Sequence, residues 1–290
     1  MPRERTIKVG ALNIAMHSPH SPRRYVQMMN DVFKLQRMVR LGKVYGAMLG
    51  TLYAARQGSP DLGLNGEIYR FLKLDPNEPW FNSATREVAT EGELRSIKIP
   101  EHLLPHLQRI PFVFRPMTHR LYFAAKDRTD SLGPLVAQRL FDQLLAPLIN
   151  EMDYPSIEVT VMPDQDSIER ILRMPALETL TIKLVRPNAD DGDDDQSRWL
   201  AKLETERARR IELRLVAERN ATLQPDEETQ IMAKVAATNG SVFATGRDVQ
   251  GLPIQESTTA KPLLVPATVD SAFETTSGVI DRIADNLDAR

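Results

Sequence analysis

One segment constrains the fold of this chain more than any other, because it holds two strand-like runs joined by a tight turn. The segment is IPFVFRPMTHRLYFAAK, and the turn falls at residues 116–119. Runs of aromatic and β-branched residues that flank a short turn are typical of paired strands. The segment therefore predicts a β-hairpin, with His119 in the turn as an ordinary packing residue.

The chain after this hairpin alternates between helix and strand patterns. Residues 131–153 have the spacing of an amphipathic helix, SIEVTVMP alternates as a strand, DQDSIERILRM is a short helix and LETLTIKLVRP is another strand. The order hairpin-helix-strand-helix-strand predicts an α+β fold with an antiparallel or mixed sheet and helices on one face. This order is close to a split βαβ, ferredoxin-like arrangement.

The first part of the chain has its own small set of elements. TIKVGALNIAM reads as a strand, and Ser21-Pro22 supplies an N-cap and a first-turn proline for a helix from Arg23 to Leu41. Strands follow at about 43–55 and 65–74, and residues 75–108 form an irregular crossing. We therefore predict a basic N-terminal α+β lobe at 1–108 and a ferredoxin-like sheet lobe at 109–268.

The second lobe is expected to carry charged helices and a hairpin. The pattern predicts a charged helix over 196–219 and another over 225–237, and NGSVFATGRDVQGLPIQEST predicts a hairpin. The last residues, 269–290, are mostly small and polar apart from SGVIDRIADNL, so we expect a loosely held C-terminal tail.

Several function classes have no support in the sequence. The chain has no cysteine, which excludes disulfides and thiolate chemistry. A phosphate-binding Gly-rich loop, a dinucleotide fingerprint and a Gly-x-Ser-x-Gly elbow are all missing, so we predict no cofactor and do not favour an enzyme. The chain has no apolar run of membrane-spanning length and no signal-peptide pattern, which predicts a cytoplasmic protein without membrane insertion.

The net charge of −2 hides a strong segregation. Residues 1–60 contain ten Lys and Arg but two Asp and Glu, a net charge of +8, so the other 230 residues carry −10. Such asymmetry indicates an anionic partner, either nucleic acid or a membrane surface, although a solvated face of the helix would also look like this. The residues predicted to contact phosphates are Arg23, Arg24, Lys34, Arg37, Arg40 and Lys43.

The aspartate-rich stretch VRPNADDGDDD raises the question of a metal site. It fails the calcium-loop pattern, because a loop with Gly192 at position 6 would begin at Pro187 and end at Arg198. We interpret it as a strand exit followed by a hydrated helix start, with no metal site predicted. The alternative is a metal-dependent nuclease or toxic effector that uses Asp190 and Asp191.

Recurring sequence motifs connect the chain with a known family. ALNI, PWFN, FVFRPMTHRLYF, VTVMPD, VRPNADD and ATNGSVFATGRDVQG resemble a bacterial family known as a domain of unknown function, from Lys8 to about Pro262. In layout the chain also resembles the phage-exclusion Rex protein of lambdoid prophages and the DNA-binding subunit of the Kiwa anti-phage system.

The second resemblance implies a function that the motifs alone do not carry. It implies a non-enzymatic, sequence-tolerant protein that binds nucleic acid, with duplex DNA as the expected form, and acts in bacterial defence against phage. The implied partners are a second copy of the chain in a homodimer and a further subunit of the defence system. A third hypothesis makes the chain a structural subunit that assembles through the 196–219 helix.

Overall fold

The computed structural model describes residues 4–17, 21–55, 59–74, 78–100, 102–164, 166–186 and 194–289. The fold is α+β, as predicted. Its described strands are β1 (Glu4–Met16), β2 (Val39–Leu41), β3 (Tyr45–Ala54), β4 (Leu64–Leu72), β5 (Phe81–Asn82), β6 (Glu87–Val88), β7 (Gln108–Arg115), β8 (Arg120–Asp127), β9 (Asp130–Ser131), β10 (Ile157–Val161), β11 (Ala176–Val185), β12 (Arg210–Val216), β13 (Gly240–Arg247), β14 (Pro253–Ser257) and β15 (Leu264–Asp270). Its described helices are α1 (Pro22–Lys34), α2 (Glu91–Ser96), α3 (Pro134–Glu151), α4 (Ser167–Leu172), α5 (Asp194–Thr205), α6 (Glu227–Thr238) and α7 (Thr276–Asp288).

The predicted hairpin is confirmed as the pair β7–β8, in the middle of a large antiparallel sheet. His119 closes its turn with a φ of 58°, a left-handed conformation that few non-glycine residues adopt. The His119 side chain is fully buried, and its ring stacks on Tyr25 of α1 with 4.3 Å between centroids. Packing of the turn against α1 is therefore what holds this conformation.

The large sheet has nine strands in the order β10-β1-β8-β7-β4-β3-β2, with β15 paired to β1 and β9 paired to β8. The long strand β1 organises it. One edge of β1 pairs with β8, and the other edge pairs with β15 over Glu4–Gly10 and with β10 over Leu12–Met16. The sheet thus takes strands from both sides of residue 108, so the predicted lobes 1–108 and 109–268 share one sheet.

Helices cover both faces of the large sheet. Phe112 packs edge-on against Phe141 of α3, and Phe114 lies 6.1 Å from Tyr25 of α1, so α1 and α3 share one face. Neighbouring residues on a strand point to opposite faces, and Arg115 and Tyr122 on the other face contact α7. The main core lies between these layers.

A second, four-stranded antiparallel sheet has the order β12-β11-β13-β14. Its core combines Leu180, Ile182 and Leu184 of β11 with Met232 and Ala236 of α6. The strands predicted to form one ferredoxin-like sheet are divided, because β7, β8 and β10 lie in the large sheet and β11 lies in the small one. The predicted hairpin after residue 239 is confirmed as β13–β14.

Two predicted helices are too long, and the reason is the same in both cases. The helix predicted to reach Leu41 ends at Lys34, and Val39 and Leu41 are buried residues of β2 that flank exposed Arg40. The helix predicted over 196–219 ends at Thr205, and residues 210–216 form β12. In both places buried or half-buried residues alternate with exposed ones at period two, and over such short stretches the apolar residues fit a helical spacing as well.

The expected loose tail at 269–290 is wrong for its described residues. Val269 and Asp270 belong to β15, and α7 buries an apolar face against the large sheet. The residues of that face are Val279, Ile280, Ile283 and Ala284. The segment SGVIDRIADNL, apolar at three- and four-residue spacing, supplies them, and its short length hid the pattern among polar neighbours.

Candidate nucleic-acid interface

Helix α1 presents one face to the core and the other to solvent. The side chain of Ser21 caps the helix by accepting a hydrogen bond from the backbone N–H of Arg24, and Pro22 occupies the first turn. Tyr25, Met28, Met29 and Val32 are buried. The opposite face carries Arg23, Gln27 and Lys34, all exposed, because these positions lie on the other side of a 3.6-residue repeat.

Four of the predicted cations gather where α1 ends and β2 begins. Lys34, Arg37, Arg40 and Lys43 are all exposed, and we call them the basic edge. Strand β2 ends the path of the large sheet, and Arg40 points away from the face where Val39 and Leu41 are buried. The end of a helix, a strand and a turn, rather than one long helix face, therefore carry these four exposed side chains.

The positive charge of the basic edge is only slightly neutralised. Lys34 Nζ lies 3.6 Å from Asp31 Oδ1, a loose ion pair. The guanidinium of Arg40 donates to the backbone carbonyl of Lys43 at 3.1 Å, which orients Arg40 without cancelling its charge. Within the part of the chain that the structure describes, Arg37, Arg40 and Lys43 form no ion pair. Three cations remain available to an anionic partner.

Arg23 and Arg24, the other two predicted residues, lie elsewhere. Arg23 and Lys34 are eleven positions apart on α1, about 16 Å along the axis. The Arg23 side chain is 90% exposed and lies 3.7 Å from Asp61. The Arg24 guanidinium stacks 4.0 Å above the ring of Tyr154 and donates to Gln27. Arg23 thus extends the same exposed face, whereas Arg24 packs against the protein.

A cavity of about 410 Å³ lies beside the basic edge. The backbone N–H of Lys73 donates to the carbonyl of Val44 at 2.8 Å, which places Lys73 next to the β2–β3 turn. Lys73 and Met38 line the cavity together with Trp80, and the other walls are apolar: Leu74, Leu94, Ile97, Ile99, Pro100, Leu103, Leu104 and Pro105. A cation next to apolar walls suits a group with an aromatic or apolar part and a negative charge.

The cavity is not predicted from the sequence, because the pattern of residues 75–108 indicates only an irregular crossing. The described part of that segment folds over the end of β4, with the backbone N–H of Leu72 donating to Pro105. Helix α2 is held by a capping box between Thr90 and Glu93. The motif PWFN, which contains Trp80, was the one available signal, and it carried no chemical meaning by itself.

A second cleft lies where the two sheets meet, and its cations are paired. His17, Arg186, Arg207 and Arg209 line it, and its volume is about 400 Å³. Arg186 forms an ion pair with Glu204, and Arg209 forms one with Glu158 of β10. Because acids neutralise two of its three arginines, this cleft is a weaker phosphate site than the basic edge.

One carboxyl group near this junction has a displaced pKa. Partial burial of the carboxyl group, followed by the negative charge of Glu158, raises the pKa of Asp142 on α3 to about 6. The folded protein then binds this proton more tightly than the unfolded chain, so ionisation of Asp142 lowers stability as the pH rises from about 4 to above 6.

Replacing Asp142 by Asn is therefore expected to stabilise the protein at neutral pH. The gain in the free energy of unfolding at pH 7.5 is about 1 kcal/mol or less, because the residue reaches solvent, and Tm rises by about 2 °C. Thermal melts at pH 7.5 and pH 4.5 check the sign, since the gain should shrink at the lower pH. Glu151→Gln on the same helix is the control, and an Asp142→Asn gain equal at both pH values would contradict the assignment.

The alternative metal ligands Asp190 and Asp191 lie outside the described residues. Within the described ranges, no three His, Asp or Glu side chains come close enough to hold a metal ion. No helix in those ranges is long and apolar enough to cross a membrane.

The chain matches a known family model. A family model described as "Domain of unknown function (DUF4747)" matches residues 5–285, which is nearly the whole chain. None of the curated proteins compared with the chain matches it.

Proposed function

We propose that this chain, which belongs to the DUF4747 family, is a non-enzymatic protein that binds duplex DNA with little sequence preference and acts in bacterial anti-phage defence. The observation that carries the DNA-binding part is the basic edge, with four exposed cations and one loose acidic partner in the described chain. A cation that contacts a phosphate releases a condensed counterion, which favours binding whatever the base sequence.

The geometry of the basic edge suits a duplex backbone. Arg23 and Lys34 lie on one exposed side of α1, about 16 Å apart along the axis, which corresponds to about five phosphates at 3.4 Å of rise per strand. Arg37, Arg40 and Lys43 follow Lys34 along the chain and are exposed as well. These cations lie on a helix end, a short strand and a turn, and no recognition helix projects from them in the described structure. Contacts of this kind position a protein on DNA without reading bases.

Salt dependence provides the direct test. We expect a fluorescein-labelled duplex of random sequence to bind the protein in anisotropy titrations at about 50 mM NaCl. The affinity should fall on the order of 100-fold at about 200 mM, as four phosphate contacts require. A second, unrelated duplex should give the same affinity within about threefold. Absence of binding at low salt would refute the proposal.

Two control titrations separate the proposal from its competitors. Anionic lipid vesicles in place of DNA test the membrane-surface interpretation of the charge, and preferential binding to vesicles would contradict DNA as the partner. Incubation of the duplex with Mg²⁺ or Mn²⁺ tests the nuclease alternative. Cleavage that disappears after Asp190→Asn and Asp191→Asn would replace the non-enzymatic proposal with that alternative.

The defence role is proposed from the resemblance in layout to the Rex and Kiwa proteins, and it needs a separate experiment. Bacteria that express the chain, with its neighbouring genes, should plate phage with reduced efficiency compared with an empty control. A variant lacking the charges of the basic edge should lose the protection. Equal protection by that variant would show that defence does not depend on DNA binding through the basic edge.

A further inference from the structure

Strand β12 forms one end of the small sheet and pairs with β11 alone among the described strands. The backbone N–H of Ala217 donates to Glu178, and the carbonyl of Arg209 accepts from Arg186. Since alternate residues of an antiparallel strand face the same neighbour, residues 209, 211, 213, 215 and 217 face β11. The backbone groups of Arg210, Glu212, Arg214 and Val216 consequently point outward from the sheet.

The side chains of β12 alternate in character as well. Arg210, Glu212 and Arg214 are exposed on one face, and Ile211, Leu213 and Leu215 are half-buried against the small core on the other. Edge strands are commonly protected from pairing by charged side chains. On β12 the charge changes sign at every second residue, so symmetric antiparallel registers centred on Glu212 or Arg214 place like charges opposite each other, and those centred on Ile211 or Leu213 place opposite charges there.

We propose that β12 pairs antiparallel with β12 of a second copy of this chain, in a symmetric register centred on Leu213. In that register Glu212 lies opposite Arg214 of the partner subunit, and Arg214 lies opposite Glu212 of the partner subunit. Two cross-strand ion pairs form on one face of the joined sheet. The proposal is independent of DNA binding, since it uses none of the residues of the basic edge.

The backbone geometry permits this register. The outward N–H and C=O groups of Glu212 meet those of the opposite arginine, so the two residues form a hydrogen-bonded pair. Leu213 lies opposite its own copy at a non-hydrogen-bonded position, where side chains approach most closely. A symmetric register centred on Glu212 or on Arg214 would place like charges opposite each other, which is destabilising.

The ion pairs of β12 in the single chain are consistent with this pairing. Glu212 lies 3.1 Å from Arg210 and 4.0 Å from Lys183, so it already has cationic neighbours. Arg214 forms no ion pair within the described structure, although it is exposed on the same face. The proposed register gives Arg214 a carboxylate partner.

The same register also buries more of the apolar face of β12. Ile211 comes opposite Leu215 of the partner subunit, and the two copies of Leu213 meet on the two-fold axis. Each of these residues is half-buried in the single chain, so pairing extends the small core across the junction. The result is one continuous eight-stranded sheet in which the β12 edge of each copy is paired.

Charge exchange tests the register directly. In sedimentation equilibrium, the wild-type mass should approach twice the 32.7-kDa chain mass as concentration rises. Glu212→Arg and Arg214→Glu should each weaken dimerisation at least about tenfold, because each places like charges opposite each other twice. The double variant Glu212→Arg/Arg214→Glu restores opposite charges and should dimerise nearly as well as wild type.

Two further variants keep the result interpretable. Arg214→Pro removes an outward N–H that makes no hydrogen bond among the described residues, so it should abolish dimerisation while leaving the melting temperature close to wild type. Glu218→Arg makes the same charge change just beyond β12 and should leave dimerisation unchanged. A monomeric wild type, a dimer insensitive to the single exchanges, or a double variant as weak as the singles would each overturn the proposal.

Discussion

Replacing Lys34, Arg37, Arg40 and Lys43 together by Gln is expected to lower the affinity for duplex DNA at least about 100-fold at about 0.1 M salt. Each phosphate contact contributes about 0.9 to the slope of log K against log salt, so the slope should fall by about 3 to 4. The four side chains are exposed, and their removal leaves the buried residues Val39 and Leu41 of β2 in place. Anisotropy titrations at several salt concentrations measure both quantities.

A matched variant separates the basic edge from the overall charge of the protein. Lys202, Arg207, Arg219 and Lys234 are exposed in the region of the small sheet, and their replacement by Gln makes the same change in net charge. This variant should bind DNA within about threefold of wild type. An equal loss in both variants would show that DNA affinity follows net charge and would refute the basic edge as the interface.

Replacing Ile280 by Ala is expected to lower the free energy of unfolding by about 2–5 kcal/mol, because it removes a fully buried side chain of α7 and leaves a cavity. The corresponding fall in Tm is about 4–10 °C. Denaturant unfolding followed by far-UV circular dichroism measures the change. Asn286→Ala, at an exposed position of the same helix, should change stability by less than about 0.5 kcal/mol.

Polar contacts explain why α7 docks in one orientation. Arg115 of β7 forms ion pairs with Asp281 and Asp285, and Arg120 of β8 forms one with Asp288. Burial and the neighbouring Asp288 raise the pKa of Tyr122, so its hydroxyl stays protonated and donates to Asp288 at 2.6 Å. A loosely held tail would tolerate Ile280→Ala without loss of stability, and that result would contradict the packing of α7 on the large sheet.

The local periodicity of apolar residues was sufficient to predict most helices and strands, and it was misleading for two of them. The hairpin β7–β8, the helix α3 and the strands β3 and β4 follow from runs long enough to show one period. Residues 34–41 and 196–219 contain a helix end and a short strand with apolar residues that fit either period. At residues 34–41, burial of Val39 and Leu41 against the core favours the strand.

The candidate site also depends partly on features visible in the sequence and partly on the tertiary structure. Lys34, Arg37, Arg40 and Lys43 were identified from the sequence because charge segregation is visible without a structure. Their common surface was attributed to one helix, whereas it depends on β2 lying at the end of the sheet. Lys73 and Trp80 could not be identified, since they come near these residues only when the chain folds over β4.

The sequence by itself determined the α+β class, the positions of most strands and helices, and the concentration of positive charge in the first 60 residues. Periodicity and composition are local properties, so they are visible in the sequence. The tertiary structure alone decided that β1 pairs with β10 and β15, that α7 packs on the sheet and that β12 is left with an open edge. Pairing of distant strands depends on which apolar faces bury each other in three dimensions, and no short stretch of sequence records that choice.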